Sequence, residues 1–436
     1  MEVLIGQGAV GDLSFEAIEI SARQQALKVA VWVVEQRLNA DLTDYVGHTC
    51  RCNCGNDARY AGRRFKAFTT VLGGMTLGRA YYHCDSCKTG FYPRDRALGL
   101  QDTSLSVATT RMVGLAAAMV SFAESSELMR ELAGIPVDPK QVERTAEALG
   151  REIAEDEWTF IEPASPVAPT MYLGMDGTGI PMRTSELNGR KGKQPDGSAK
   201  TREVKLVTVW SAEGRDEKGI PVRDPGSVTY SAAIESAASL DTNDESSAFA
   251  QRAYRESQRR DFDNARRRVV LGDGALWIWN LANEHFPGAI QIVDLYHAKE
   301  HLSDVAKAIY GPGSDLGRQW EKRRHDELDE GRMAELLQAL RIHAKATDEA
   351  RKCHDYFTRN RHRMRYPEFR AQGLSIGSGV VEAGCKVTIG TRLKRTGMHW
   401  TLAGANAIIA LRCCKLSGRF DDFWKRRSQA SLQAVG

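Results

Sequence analysis

Apolar positions along the chain change period several times. Phe15 to Leu38 carries them at helical spacing and predicts a long helix. Lys66 to Leu72 and Met75 to Tyr82 are rich in β-branched and aromatic residues and predict two strands, joined by a tight Gly73-Gly74 turn. Ser104 to Glu157 is helical again, with a break at Gly134-Ile135-Pro136. Pro163, Pro166 and Pro169 then mark an extended, helix-incompatible linker. After it, strands are predicted at Met171–Met175, Val204–Trp210 and Ser227–Ser231, with a Gly- and Lys-rich loop over Gly189–Lys200. A helix (Ser247–Arg260), a strand (Arg268–Leu271), a helix (Leu276–His285) and a strand (Ala289–Val293) follow. Ala298 to about Arg370 carries no strand signal, and Ser378–Ile389 and Thr401–Leu416 read as helices.

Three strands, helix, strand, helix, strand is the order of an RNase H-like domain. The predicted fold class is therefore α/β, with an RNase H-like domain over 171–425 and a helical insertion at about 298–370. An N-terminal helical segment (1–47), a cysteine ribbon (48–95), a helical region (100–162) and the linker (163–170) precede it, and a tail (426–436) follows. The ribbon rests on Cys50, Cys52, Cys54, Cys84 and Cys87, which flank the predicted hairpin. Cysteine knuckles at the two ends of a hairpin describe a zinc ribbon, in which four thiolates close a tetrahedral structural Zn²⁺ site. Cys84-x2-Cys87 has regular spacing. The first knuckle offers three cysteines for two places: Cys52 and Cys54 are favoured because Gly55 relieves the turn, and Cys50 is the alternate. Within 100–162, Ser126–Leu132 and Pro139–Leu149 resemble a helix-turn-helix, with Asp138 as cap and Lys140, Gln141 and Arg144 as candidate DNA contacts. An ordinary helical hairpin explains the same residues.

The chain has 436 residues, 42% hydrophobic and 27% charged, with a net charge of only +4. That is ordinary for a globular protein of several domains and excludes a disordered or disulfide-stapled chain. The longest apolar run, Met112 to Ala123, is too short to span a bilayer, and no secretory signal is read, so a cytoplasmic location and metal-bound rather than disulfide cysteines are expected. The small total hides modules of opposite sign. Ser121–Pro163 carries −7, Arg351–Arg370 carries +5 and Lys386–Arg427 carries +8. Nucleic-acid binding needs local positive charge, so the two basic stretches are candidate DNA surfaces. Tyr356, Phe357, Tyr366 and Trp400 are interspersed and could stack on bases.

Asp176 and Asp273 each follow a short apolar strand and are each followed by Gly. In an RNase H-like order their strands are neighbours, so the carboxylates would face one another and repel unless a cation sits between them. Mg²⁺ suits such oxygen ligands. Glu382, in a glycine-flanked helix entry that Ser378 can cap, is the candidate third carboxylate. The segments Leu173–Pro181, Gly272–Trp279 and Ser378–Ala383 resemble the three acidic motifs of bacterial insertion-sequence DDE transposases, closest to the ISKra type of the Mutator-related set. Asp294-x2-His297 is similar to their extra Asp-x2-His motif, and Arg392–Trp400 to their basic stretch ending in a tryptophan.

The resemblance covers roughly residues 45 to 425. It implies a DNA transposase using Mg²⁺ (or Mn²⁺) held by Asp176, Asp273 and Glu382, with Asp294 and His297 as further catalytic residues: His297 would orient the scissile phosphate or a metal-bound water, or else donate to Asp294 and brace the domain. It implies phosphate contacts by Lys386, Arg392, Lys394 and Arg395, an unpaired base on Trp400, and work as a homodimer or higher oligomer on element ends and target DNA, at the nucleoid and without a membrane. The alternatives are an RNase H-like nuclease or resolvase without strand transfer, and a non-catalytic zinc-ribbon DNA-binding regulator.

Overall fold

The computed structural model describes residues 14–159, 167–192, 194, 197–237 and 246–433. Pro163 and Pro166 of the expected linker and residues 434–436 of the expected tail lie outside them. The chain divides into two units, Met1–Leu149 with Phe420–Gly436, and Gly150–Arg419. No helix of the described residues is long and apolar enough to cross a membrane.

The first unit begins with α1 (Phe15–Ala40), capped by Ser14, whose side chain accepts from Ala17 N. A four-stranded antiparallel sheet follows, β1 (Thr49–Arg51), β2 (Asp57–Thr70), β3 (Gly73–Cys84) and β4 (Thr89–Phe91), paired in sequence order. The hairpin turn is Val71-Leu72 rather than Gly73-Gly74, because Thr70 pairs with Gly73 in the ladder. Thr70 Oγ1 accepts from Leu72 N at 3.1 Å and donates to Gly73 O at 2.8 Å, and Gly73 takes the positive φ of 125°. Two small cores sit at opposite ends of this hairpin: Cys52, Ala58, Ala80, Tyr82 and Cys84 at one, Phe68, Met75, Leu77 and Leu100 at the other. Then come α2 (Pro93–Ala97), α3 (Val107–Met119), α4 (Phe122–Leu128) extended by a π-turn over Met129–Ala133, and α5 (Pro139–Thr159), of which the part up to Leu149 belongs to this unit and the rest to the second.

The second unit is built on a five-stranded sheet: β5 (Thr170–Pro181), β6 (Thr201–Ser211), β9 (Thr229–Ala233), β10 (Arg267–Gly272) and β11 (Ile290–Val293), with the small pair β7 (Gly214–Arg215) and β8 (Pro221–Val222) apart. The order across the sheet is β11-β10-β5-β6-β9. β10 and β11 run parallel to β5, while β6 runs against both β5 and β9. β5 is buried from Thr170 to Met175, as a central strand covered on both faces must be. It does not stop at Asp176: β6 pairs with it through Pro181↔Thr201, so the strand continues beyond its expected end.

Helices α6 (Ala248–Arg259), α7 (Leu276–His285) and α8 (Leu295–Tyr310) alternate with these strands. The insertion is helical: α9 (Asp315–Asp329), α10 (Met333–His343), α11 (Asp348–Asn360) and α12 (Tyr366–Ala371). Then come α13 (Gly379–Gly384), a π-turn over Cys385–Gly390, α14 (Thr391–Leu393) and α15 (Leu402–Leu416). One large core joins sheet and insertion, with Tyr172, Trp210, Val270, Leu302, Phe357 and Val381 among its members.

The expected tail belongs instead to α16 (Phe420–Gln433) of the first unit. Phe420, Phe423 and Trp424 are buried there, and Arg111 donates to Asp421 at 2.7 Å, which fixes the helix that the charged run of Lys425, Arg426 and Arg427 concealed.

A missing side chain sets how closely α13 approaches the sheet. A Cβ on Gly174 would stand 2.2 Å from Val381 Cγ2 and 3.0 Å from Trp210. Gly174→Val therefore overpacks this contact, with an expected cost of about 1–3 kcal/mol. Chemical denaturation should show a lower midpoint with an unchanged slope.

Candidate functional site

β5 and β10 carry the two aspartates side by side. Their parallel register pairs Gly174 with Leu271, and two residues further along, Asp176 and Asp273 stand level. Asp273 follows the last residue of its strand, and its Oδ1 accepts from Ala275 N at 2.8 Å. Gly274 follows with φ 98°, where a Cβ would also stand 2.4 Å from the Tyr356 ring. That ring forms a wall of the site, and its hydroxyl donates to Asp273 O at 2.8 Å.

Glu382 sits exposed on α13, and it and Asp273 are close enough to Asp176 to repel its charge. Burial is the largest influence on Asp176 and, with these two neighbours, raises its pKa, against hydrogen bonds from the Cys385 thiol and Gly177 N. Burial also pushes the Cys385 thiol up, and the Asp176 charge adds to it. The structure thus brings Asp176, Asp273 and Glu382 together where β10 ends beside β5. Their oxygens are more widely spread than a closed metal cage. Among the described residues, the four ribbon cysteines are the one group of three or more metal-ligating side chains within 4.8 Å of one another.

Asp294 lies behind these carboxylates, fully buried. Its backbone N donates to Gly272 O at 2.9 Å. Its Oδ1 caps α8 by accepting from His297 N at 2.6 Å, and its Oδ2 accepts from Ser378 N. Ser378 does not cap α13 through its side chain; its Oγ donates to Glu382 Oε1 at 3.0 Å. The chain of contacts runs from the residue before Asp273, through Asp294 and Ser378, to Glu382. His297 is half-buried, with Nδ1 3.6 Å from Glu300 and its ring 4.7 Å from that of His301. His301 in turn packs on Tyr356 at 4.4 Å, and burial, then the His297 charge, lowers its pKa.

The basic stretch after Glu382 returns to β5: Trp400 N donates to Pro181 O at 3.1 Å and Arg183 N to Trp400 O at 2.9 Å. Lys394 is exposed and donates to Thr178 Oγ1, two residues beyond Asp176. Lys386 and Arg395 are exposed as well. Arg392 and Trp400 do not fit the expected roles. Arg392 is 0% exposed, with its guanidinium 5.4 Å from the Trp400 ring centre, and Trp400 is 6% exposed and donates through Nε1 to Leu393 O at 2.9 Å. They form a buried clasp and reach neither phosphate nor base. Tyr356, Phe357 and Tyr366 are also buried; Tyr366 donates to Val293 O at 3.1 Å and Phe357 belongs to the large core. Arg363, Arg412 and Arg419 are buried too, so the basic stretches hold less surface charge than their count. In the helical region Lys140 and Arg144 are exposed, Lys140 pairing with Glu143, while Gln141 is half-buried and donates to Ser104.

In the ribbon, Cys52, Cys54, Cys84 and Cys87 form a cluster compatible with structural zinc. Cys52 Sγ lies 3.6 Å from Cys87 Sγ, and Cys54 Sγ 3.6 Å from Cys84 Sγ. Gly55, at φ 86°, donates to Cys52 O and closes the first knuckle. Cys50 is left outside, its thiol facing Arg51 O at 3.9 Å. The Thr89 side chain and backbone hold Cys87 down at about 6, favouring the thiolate that a metal needs. Opposing the Cys87 backbone N–H, burial and the neighbouring thiols push Cys84 up to about 11.

No described protein family and no curated protein matches the chain. Among solved structures it is similar to the Drosophila P element transposase strand transfer complex, at 9% identity and a TM-score of 0.27, over 78% of this chain and 86% of that one.

Two measurements check these assignments. The purified chain should carry one zinc, which Cys84→Ser loses and Cys50→Ser keeps, as read by metal analysis. Asp294→Asn turns an N–H donor toward a backbone N–H, and should cost about 2–3 kcal/mol in denaturation.

Proposed function

We propose that the chain is a DDE-type DNA transposase of an insertion sequence, with an RNase H-like catalytic unit that cleaves element ends and joins them to target DNA. The observation that carries the reading is the meeting of three carboxylates from distant segments: Asp176 and Asp273 level on adjacent parallel strands, and Glu382 on a helix laid over the same sheet. The strand order supports the RNase H-like reading, with β6 alone running against the other four strands.

The donor set fits a hard divalent cation: carboxylate oxygens only, with Asp273 and Glu382 both repelling the Asp176 charge that a cation would offset. Asp176, Asp273 and Glu382 would hold Mg²⁺ or Mn²⁺. When bound, the metal stabilises the attacking and leaving oxygens of phosphoryl transfer. Asp294 and Ser378 orient Glu382, and Tyr356 walls the site beside Asp273. Lys386, Lys394 and Arg395 hold DNA phosphates on the open side of the site, with Lys394 bonded to Thr178, two residues beyond Asp176.

The gene with its flanking DNA, placed on a plasmid, tests this reading. Wild-type protein with Mg²⁺ should nick the element ends and join a pre-cleaved end to a second plasmid. Asp176→Asn should bind the same DNA and cut none of it. Normal cutting by that variant would overturn the assignment, and cutting without joining would mark a nuclease.

The pH response has a defined sign. Asp176 has a raised pKa, so as pH falls through that value it takes up a proton and loses the charge that holds a cation. Cleavage at fixed, subsaturating Mg²⁺ should therefore fall off at a higher pH than an ordinary aspartate would impose, and added Mg²⁺ should move the fall to lower pH.

A further inference from the structure

A cavity of about 480 Å³ opens beside the cysteine cluster in the first unit, and nothing above uses it. Lys66, Arg79, Asp95, Arg96 and Gln101 are among its lining residues. The volume is in the range that takes a small organic group.

Two of these residues are buried and charged: Arg79 is 4% exposed and Asp95 6%. They pair through Arg79 Nη1 and Asp95 Oδ2 at 2.6 Å. Yet Arg79 Nε and Asp95 Oδ1 have no hydrogen-bond partner among the described residues. A buried donor or acceptor left so costs about 1–3 kcal/mol, which a complementary ligand would recover. Arg79 thus keeps one donor and its ion-pair partner Asp95 one acceptor, the two functions that adjoin on the pairing edge of every nucleobase. The Arg96 guanidinium lies over the Phe91 ring at 4.4 Å from its centre, and guanidinium planes are stacking platforms for unpaired bases. Lys66 adds a further cation for the attached phosphate.

We infer that this cavity receives one unpaired nucleotide of bound DNA, its base on Arg96 and its pairing edge toward Arg79 and Asp95. The inference rests on the DNA reading above and adds a second point of contact, remote in sequence from the carboxylates.

The test uses the full chain and two labelled duplexes of one sequence, the first with a single bulged nucleotide, the second with an abasic residue at the bulge. Fluorescence anisotropy should show wild-type protein binding the bulged base about tenfold more tightly. Arg96→Ala should bring that ratio to about one. Gln101→Trp, at an exposed position on the cavity lining, should do the same by filling the cavity, with zinc content retained in both. Equal wild-type affinity for the two duplexes overturns the inference and leaves the DNA reading standing. Binding to neither overturns both. A preference that survives both substitutions overturns its placement in this cavity.

Discussion

Asp294 has no contact with solvent, and both of its carboxylate oxygens are spent on backbone N–H groups. A buried carboxylate so bonded is costly to move, because a shift would leave it and two backbone N–H groups without partners. That cost gives the candidate site its rigidity. The residue ties the end of β10 to the start of α8, and both to the loop entering α13. Glu382 reaches the site on a helix of only six residues. Such a helix has little stability of its own. Its place is dictated from outside, by Asp294 at its entry and by Gly174 of β5, against which its own Val381 packs.

The architecture of the second unit was largely legible, because its strands contain short apolar runs and most of its long helices, such as α6 and α8, are amphipathic. The five strands of the sheet and the helical character of the insertion follow from that periodicity. The candidate site was legible in part. Asp-Gly after an apolar strand marks positions 176 and 273, but it does not say where a strand ends: β5 runs on to Pro181 because β6 continues beside it, a fact held in the partner strand. Asp294 was visible as a motif residue, whereas its use of both oxygens on backbone groups depends on Ser378, 84 positions away. Cys385 and Tyr356 carried no local signal of their proximity to Asp176 and Asp273.

The largest departures concern residues whose chemistry suits two settings. An arginine on a basic run is ordinarily a surface residue. Arg392, Arg412 and Arg419 are instead internal braces: Arg412 donates to the Thr388 carbonyl at 2.7 Å, and Arg419 joins Glu256 and Glu157 in a buried network. Trp400 and Tyr356 likewise turn their polar tips to backbone carbonyls and their rings to the interior. Net charge along the chain therefore locates basic segments correctly and overstates how much of each faces outward.

The two ends of the β2–β3 hairpin lead separate lives. β3 spans 12 residues, so its ends stand about 40 Å apart, and each has its own small apolar cluster, one around the cysteines and one under α1. A hairpin anchored twice can come loose at one end without losing the other. Loss of a metal from the four cysteines, were one bound, or oxidation of the thiols would then be a local fraying of the knuckle end, while Phe68, Leu77 and Leu100 keep the strands in register for re-closure.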